Sequence, residues 1–169
     1  AHIFTTMVGR PDNELAEPLA AAALFFLYAF SLRRPSSVSG LGQNIVPALT
    51  GVMAFVSVLF WRGAVLWWAI VAAHTFFLML FSDKENWRGF WKNGTVIFGA
   101  VAVTALIYCL IDPFNVKPGF NFNTVSWFHV VVAILIAAGL WSTALFLSLR
   151  EKGRSFGLSF LYGGAVLVG

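Results

Sequence analysis

The sequence has little charge and a single cysteine. Only 11% of its 169 residues are charged, against about 25% in an average soluble domain, whereas 59% are hydrophobic. A chain with so little charge cannot cover a globular surface with polar groups, which excludes an ordinary soluble domain and a nucleic-acid-binding surface. The single cysteine, Cys109, excludes an internal disulfide and a cysteine-based metal site.

Motifs that commonly mark enzymes are also missing from the sequence. It has no glycine-rich phosphate loop, no nucleophile elbow, no metalloprotease helix, and no lysine or paired carboxylates within a hydrophobic run. Because these motifs are missing, the usual sequence evidence for an enzyme is missing too, and we expect a protein that is not a catalyst.

Long hydrophobic runs recur along the whole chain, each bounded by charges, prolines or glycines. Because about 20 apolar residues carry a helix across ~30 Å of hydrocarbon, we predict an all-α integral membrane protein. It would be one transmembrane domain, residues 1–169, forming a polytopic bundle of about six helices. The predicted spans are residues 15–32, 45–60, 64–81, 95–111, 125–149 and 155–168. The last run is short and rich in glycine, so it is expected to tilt, to re-enter or to pack inside a complex.

The basic residues predict how the chain is oriented. Eight of the eleven follow the first, third and fifth spans: Arg33, Arg34, Lys84, Arg88, Lys92, Arg150, Lys152 and Arg154. Positively charged loops stay in the cytoplasm, which predicts an external N-terminus and a multi-pass protein of the cell inner membrane. The segment around the start of the first span carries Glu14 and Glu17 in place of a basic leader, so we expect a span there rather than a cleaved signal peptide.

The third loop has an informative local pattern. Ser82 and Glu85 have the spacing of a capping box, which predicts a short helix over residues 82–94 with an aromatic face and a basic face. The aromatic face holds Trp87, Phe90 and Trp91, and the basic face holds Lys84, Arg88 and Lys92. Such a helix lies in the inner interface with its rings toward lipid, or it forms a docking strip for a cytoplasmic partner.

The fourth loop, residues 113–124, alternates aromatic and amide side chains, among them Phe120 and Phe122. Amphipathic aromatic segments lie along the membrane interface, with their rings at the level of the headgroups. A neighbouring subunit would cover an exposed aromatic strip equally well. Both interpretations of this loop stay open.

Two histidines lie within predicted spans. His74 is near the middle of the third span, and His129 is close to the outer end of the fifth. Each imidazole either completes a hydrogen bond in the core or binds a haem or chlorin as a single axial ligand, and His74 is also a candidate proton relay. Their depths differ by roughly 9 Å at 1.5 Å per residue, which argues against one haem held between both.

Acidic residues cluster at the predicted outer side. Glu14 and Glu17 precede Pro18, a residue that helices tolerate in their first turn, and there they would complement the helix dipole. The alternative is a cation or metal site formed by Glu14, Glu17, Asp112 and His129.

These features lead to a functional expectation. We expect a non-catalytic integral membrane subunit of a larger complex, of electron-transfer or light-harvesting type, that helps its assembly or stabilisation. Its partners would be the lipid bilayer and other membrane subunits. The alternative is a homo-oligomeric channel or transporter for a small uncharged solute, since the spans hold too few charges to coordinate an ion. A third hypothesis is an enzyme for a hydrophobic substrate with His74, His129 or Glu17 as acid or base.

Overall fold

The computed structural model describes residues 2–33, 42–83, 86–111 and 125–151, the side chains of residues 2–15, Gly42 and Arg62 excepted. Within these ranges the secondary structure is entirely helical. The elements are α1 (His2–Leu32), α2 (Gly42–Phe60), a 3-10 turn (Arg62–Ala64), α3 (Val65–Phe81), α4 (Trp87–Ile111) and α5 (Trp127–Glu151).

Three stretches are long and apolar enough to cross a membrane: Gln43–Phe60, Trp87–Ile111 and Trp127–Glu151. Two shorter apolar helical stretches are Ala16–Leu32, which is the second part of α1, and Val65–Phe81. The prediction of an all-α membrane protein is confirmed in this form. The predicted sixth span, residues 155–168, lies outside the described residues.

Helix α4 begins earlier than its predicted span. It starts at Trp87 and runs unbroken to Ile111, so the prediction of a separate interfacial helix over residues 82–94 is wrong. The reason lies at Gly94, which is a contact point between helices rather than a helix end. A Cβ at this position would meet Leu140 Cδ1 and Thr75 Cγ2, both at 2.8 Å.

Helix α1 also begins earlier than predicted. Because it starts at His2, Pro18 lies in its interior rather than in its first turn, and Glu14 and Glu17 lie far from the helix N-terminus. The prediction that these two carboxylates complement the dipole of a first turn is therefore wrong. Pro18 is exposed, so its ring does not disturb the packing of the core.

Helix α4 occupies the centre of the bundle, where it packs against α1, α2, α3 and α5. Its buried side is apolar, with Ile97, Phe98 and Val101 at most 1% exposed. The contact with α2 is especially close, because a Cβ at Gly51 would overlap the Ile97 carbonyl oxygen. Small residues permit such approach between backbones, which is a main source of helix association in lipid.

Polar contacts tie several helix ends together at one end of the bundle, which we call the basic end. Lys92 Nζ donates to Gln43 Oε1 at 3.0 Å, and Asn93 Nδ2 donates to the Ser31 carbonyl at 3.1 Å. Trp87 Nε1 donates to Glu151 Oε1 at 2.8 Å. The N-termini of α2 and α4 therefore meet the C-termini of α1 and α5.

Candidate functional site

A tyrosine from α1 reaches across to α3 and contacts His74. The Tyr28 hydroxyl oxygen lies 2.9 Å from His74 Nδ1 and 2.9 Å from Thr75 Oγ1. Thr75 Oγ1 in turn donates to the Val71 carbonyl at 2.8 Å. Tyr28 and Thr75 are both buried, so this small polar network is closed off on the side that faces the core.

The network has a direction, because each hydroxyl carries one hydrogen. Thr75 uses its hydrogen on the Val71 carbonyl, so it accepts the hydrogen of Tyr28. Tyr28 then accepts a hydrogen from His74 Nδ1. A neutral imidazole carries only one N–H, which leaves Nε2 of His74 with a free lone pair. The Val71 carbonyl lies 3.5 Å from the Tyr28 hydroxyl, too far to compete.

His74 lies on the exposed side of α3. Its neighbours along the same helix face are Ile70, Phe77 and Phe81, which are 47%, 54% and 83% exposed. Within the described part of the chain, nothing hydrogen-bonds to His74 Nε2. His74 Nε2, which can accept a hydrogen bond, thus lies in the middle of the exposed apolar face of α3.

His129 is in a different environment, at 1% exposure near the start of α5. Its ring meets the Trp68 ring nearly edge-on, with 6.0 Å between centroids. The Ser126 backbone N–H donates to His129 Nδ1 at 3.3 Å. This assigns the imidazole hydrogen to Nε2, which is buried and has no hydrogen-bond partner among the described residues.

The two histidines are not brought together. His129 packs at the level of Trp68, which precedes His74 by six residues on α3, a rise of about 9 Å. A histidine that ligates a metal through Nε2 usually donates its other N–H to an acceptor. His74 has that arrangement, whereas His129 accepts at Nδ1 and does not fit it.

The predicted metal site lies largely outside the described side chains. Of its four members, Glu14, Glu17, Asp112 and His129, only Glu17 and His129 have described side chains. Among the residues that the structure describes, no group of three His, Cys, Asp or Glu side chains is placed to hold a metal ion. The outer cation site stays a prediction.

The predicted docking strip of the third loop is divided between the core and the surface. Trp87 is only 6% exposed, so its ring is covered within the described bundle, and its part in an interface stays a prediction. Its indole N–H bonds to Glu151, whose second oxygen accepts from Arg88 at 2.9 Å. The Arg88 guanidinium also lies 5.5 Å from the Trp87 ring centre. Burial of Trp87 follows from the early start of α4, which turns this residue toward α5.

The other members of the strip have separate surroundings. Trp91 packs edge-on against Trp141 with 4.9 Å between ring centroids, and Phe90 packs partly buried against the core. Lys92 is exposed at the basic end. Phe120 and Phe122 of the fourth loop lie outside the described residues.

An open apolar groove of about 360 Å³ runs beside these tryptophans. It is lined by Trp87, Trp91, Trp141, Ala144, Leu145 and Ser148. Next to it, Trp91 Nε1 and Thr95 Oγ1 are buried, and neither has a hydrogen-bond partner in the part of the chain that the structure describes. A second cavity of about 480 Å³ lies at the basic end, with Asp83, Arg150 and Glu151 in its lining.

Tyr28 is the member of the candidate site that the sequence analysis did not identify. Its hydroxyl gives His74 a fixed orientation, and the two rings meet nearly edge-on with centroids 5.6 Å apart. A tyrosine within an apolar helix usually finds a partner for its hydroxyl, and this requirement is the signal available in the sequence. The identity of the partner follows only from the packing of α1 near α3.

No family model, curated protein or solved structure matches this chain in the comparisons made with them. The class is therefore defined by the structure alone. It is a helical membrane protein whose described residues include three helices long and apolar enough to span a bilayer.

Proposed function

We propose that the chain is a non-catalytic integral membrane subunit of a larger membrane protein complex, of electron-transfer or light-harvesting type, and that it helps the assembly or stabilisation of that complex. The observation that carries this proposal is the filled interior of the bundle. Leu24, Trp68, Phe98 and Val101 come from three different helices and are at most 1% exposed. Apolar side chains thus occupy the space between the described helices.

Buried hydroxyl groups support the same interpretation. Thr50 donates to the Val46 carbonyl, Ser57 to Ala54 and Ser142 to Ala138, each within its own helix. Hydroxyls turned back in this way are satisfied locally and do not line a polar passage. A channel would then need its pore between copies of the chain rather than within the described bundle.

The outer surface of α1 carries an exposed aromatic row against which a neighbouring helix can pack. Phe26 and Phe30 are stacked on α1 with centroids 6.4 Å apart. Both rings are exposed. Aromatic residues are enriched where protein subunits meet, so this row is the proposed contact face.

We also propose six spans, an external N-terminus and location in the cell inner membrane. The support is the charge at the basic end. Arg33, Arg88, Lys92 and Arg150 all stand near the helix ends that meet there. The positive-inside rule would place this end in the cytoplasm.

The test is extraction from native membranes in a mild detergent, followed by mass spectrometry of what comigrates. We expect stoichiometric partner subunits. Replacing Phe26 and Phe30 with Ala should release a partner, whereas replacing the similarly exposed Ile134 and Leu135 of α5 with Ala should retain it. A free homogeneous particle would overturn the proposal, and a colourless homo-oligomer would favour the channel.

A further inference from the structure

The hydrogen-bonding state of His74 matches that of an axial ligand. The metal of a haem or a magnesium chlorin binds the lone pair of a neutral imidazole nitrogen, and the opposite N–H commonly donates to an acceptor that fixes the ring and raises its basicity. In this chain His74 Nδ1 lies 2.9 Å from the Tyr28 hydroxyl, and the hydrogen count of the network assigns the donated hydrogen to Nδ1 and the lone pair to Nε2. The ring is therefore held in one tautomer and one orientation before any ligand arrives.

The surface around His74 matches a flat apolar ligand. Phe77 and Phe81 lie with an angle of 16° between their ring planes, and Ile70 extends the same face toward the start of α3. Helix α3 contains no charged residue. A planar macrocycle bound at Nε2 would cover exposed apolar side chains without burying a charge.

Two simpler roles of His74 account for less of the geometry. A proton relay needs a series of exchangeable groups. The hydrogen-bond series from His74 ends at the Val71 backbone carbonyl, which cannot pass a proton on. A purely structural histidine would use Nδ1 alone and leave Nε2 as an unpaired acceptor in apolar surroundings, which costs free energy. Ligation of a metal gives that nitrogen a partner.

We infer that His74 is the single axial ligand of a metallo-tetrapyrrole, either a haem or a magnesium chlorin, bound against the exposed face of α3. Tyr28 is the positioning residue that holds the imidazole by its Nδ1–H. This inference goes beyond the proposed subunit role and does not depend on it, since a structural subunit needs no pigment. Haem and chlorin share the coordination chemistry, and the experiment separates them.

The test is titration of the purified full-length protein in detergent, in one arm with hemin and in the other with a magnesium chlorophyllide. We expect saturable binding of one tetrapyrrole per chain in at least one arm, with a shifted absorption band that His74→Leu abolishes. His129→Gln is the matched control and should retain the band. The inference is overturned if neither compound binds, or if His74→Leu binds as much as the parent protein.

Two further variants separate ligation from a general effect on folding. In His74→Gly, imidazole added to the buffer should restore the shifted band, because it can enter the vacated space and bind the metal. In Tyr28→Phe the band should persist while affinity falls by about 10- to 100-fold, as is typical when the group that orients a ligating histidine is removed. A His74→Gly protein that imidazole does not rescue, although correctly folded by circular dichroism, would contradict the role of ligand.

Discussion

His74 and His129 lie in two regions of the molecule that differ in exposure and in the hydrogen bond made by Nδ1. His74 lies on the exposed face of α3, and its Nδ1 lies 2.9 Å from a tyrosine hydroxyl to which the hydrogen count assigns it as donor. His129 lies in the core near the start of α5 and accepts at Nδ1 from a backbone amide. The first arrangement frees a lone pair at Nε2, and the second places a hydrogen there.

The difference shows that burial alone does not reveal the hydrogen-bonding state of a histidine in this chain. His129 is the more buried of the two, and its unpaired Nε2–H makes it the more unusual group. Yet the direction of one hydrogen bond removes the lone pair that a metal needs. The exposed histidine, whose environment looks ordinary by burial, has the state of a ligand.

The largest expected effect separates the two histidines by stability. His129→Ala should lower the free energy of unfolding by about 2–4 kcal/mol, because it leaves a cavity against Trp68 in a close-packed core. His74→Ala should cost about 1 kcal/mol or less, because it removes one hydrogen bond at an exposed position. Unfolding titrations in mixed micelles measure both. Equal losses would contradict the contrast between a core histidine and a surface one.

A second prediction tests the packing that surrounds His129. Gly51 and Phe55 lie one turn apart on α2, and Phe55 packs in the same cluster as Val130, the neighbour of His129. Gly51→Ala should cost about 1–3 kcal/mol of unfolding free energy, because the new Cβ would also meet Ala100 Cβ at 2.7 Å.

Gly99→Ala is the matched control for Gly51→Ala. A Cβ at Gly99 meets no heavy atom within 4 Å, so this change should be neutral or stabilising by up to about 1 kcal/mol. The same unfolding titration compares the two variants. A Gly51→Ala protein as stable as Gly99→Ala would show that α2 and α4 are not packed as closely as described.

The sequence predicted the helices far better than the contacts between them. Long apolar runs located five helices, since each run must fill the bilayer. The prediction of helix ends failed where glycine or proline serves a different purpose from the one its position suggests. Gly94 was interpreted as the end of a helix and is a contact with α5 and α3, and Pro18 was interpreted as a helix start and lies inside α1.

The site was only half predictable for a similar reason. His74 stands out in the sequence as an ionisable residue in an apolar run. Its state depends on Tyr28, which is 46 residues away, and on where Thr75 places its hydrogen. No local pattern contains that information, because it arises only when α1 lies beside α3.

A third prediction concerns the tyrosine that orients His74. Tyr28→Phe should cost about 1 kcal/mol of unfolding free energy, because it removes a buried hydroxyl that bonds to both His74 and Thr75. Tyr108→Phe is the control, since the Tyr108 hydroxyl bonds to none of the described residues, and it should change stability by less than about 0.5 kcal/mol. Thermal unfolding in detergent compares the two, and a larger loss in Tyr108→Phe would contradict the Tyr28 network.

The last prediction concerns no change in stability. It tests directly which ring nitrogen of each histidine carries the hydrogen. With ¹⁵N-labelled histidine, the one-bond nitrogen–hydrogen couplings should place the hydrogen on Nδ1 of His74 and on Nε2 of His129. The variants His74→Gln and His129→Gln assign the signals and leave His2 as the remaining resonance. In Tyr28→Phe the His74 signal should shift toward the Nε2–H form, because the acceptor that held the hydrogen on Nδ1 is gone, while the His129 signal stays where it was. A hydrogen on Nε2 of His74 in the parent protein would remove the lone pair, and with it the reason for treating the two histidines differently.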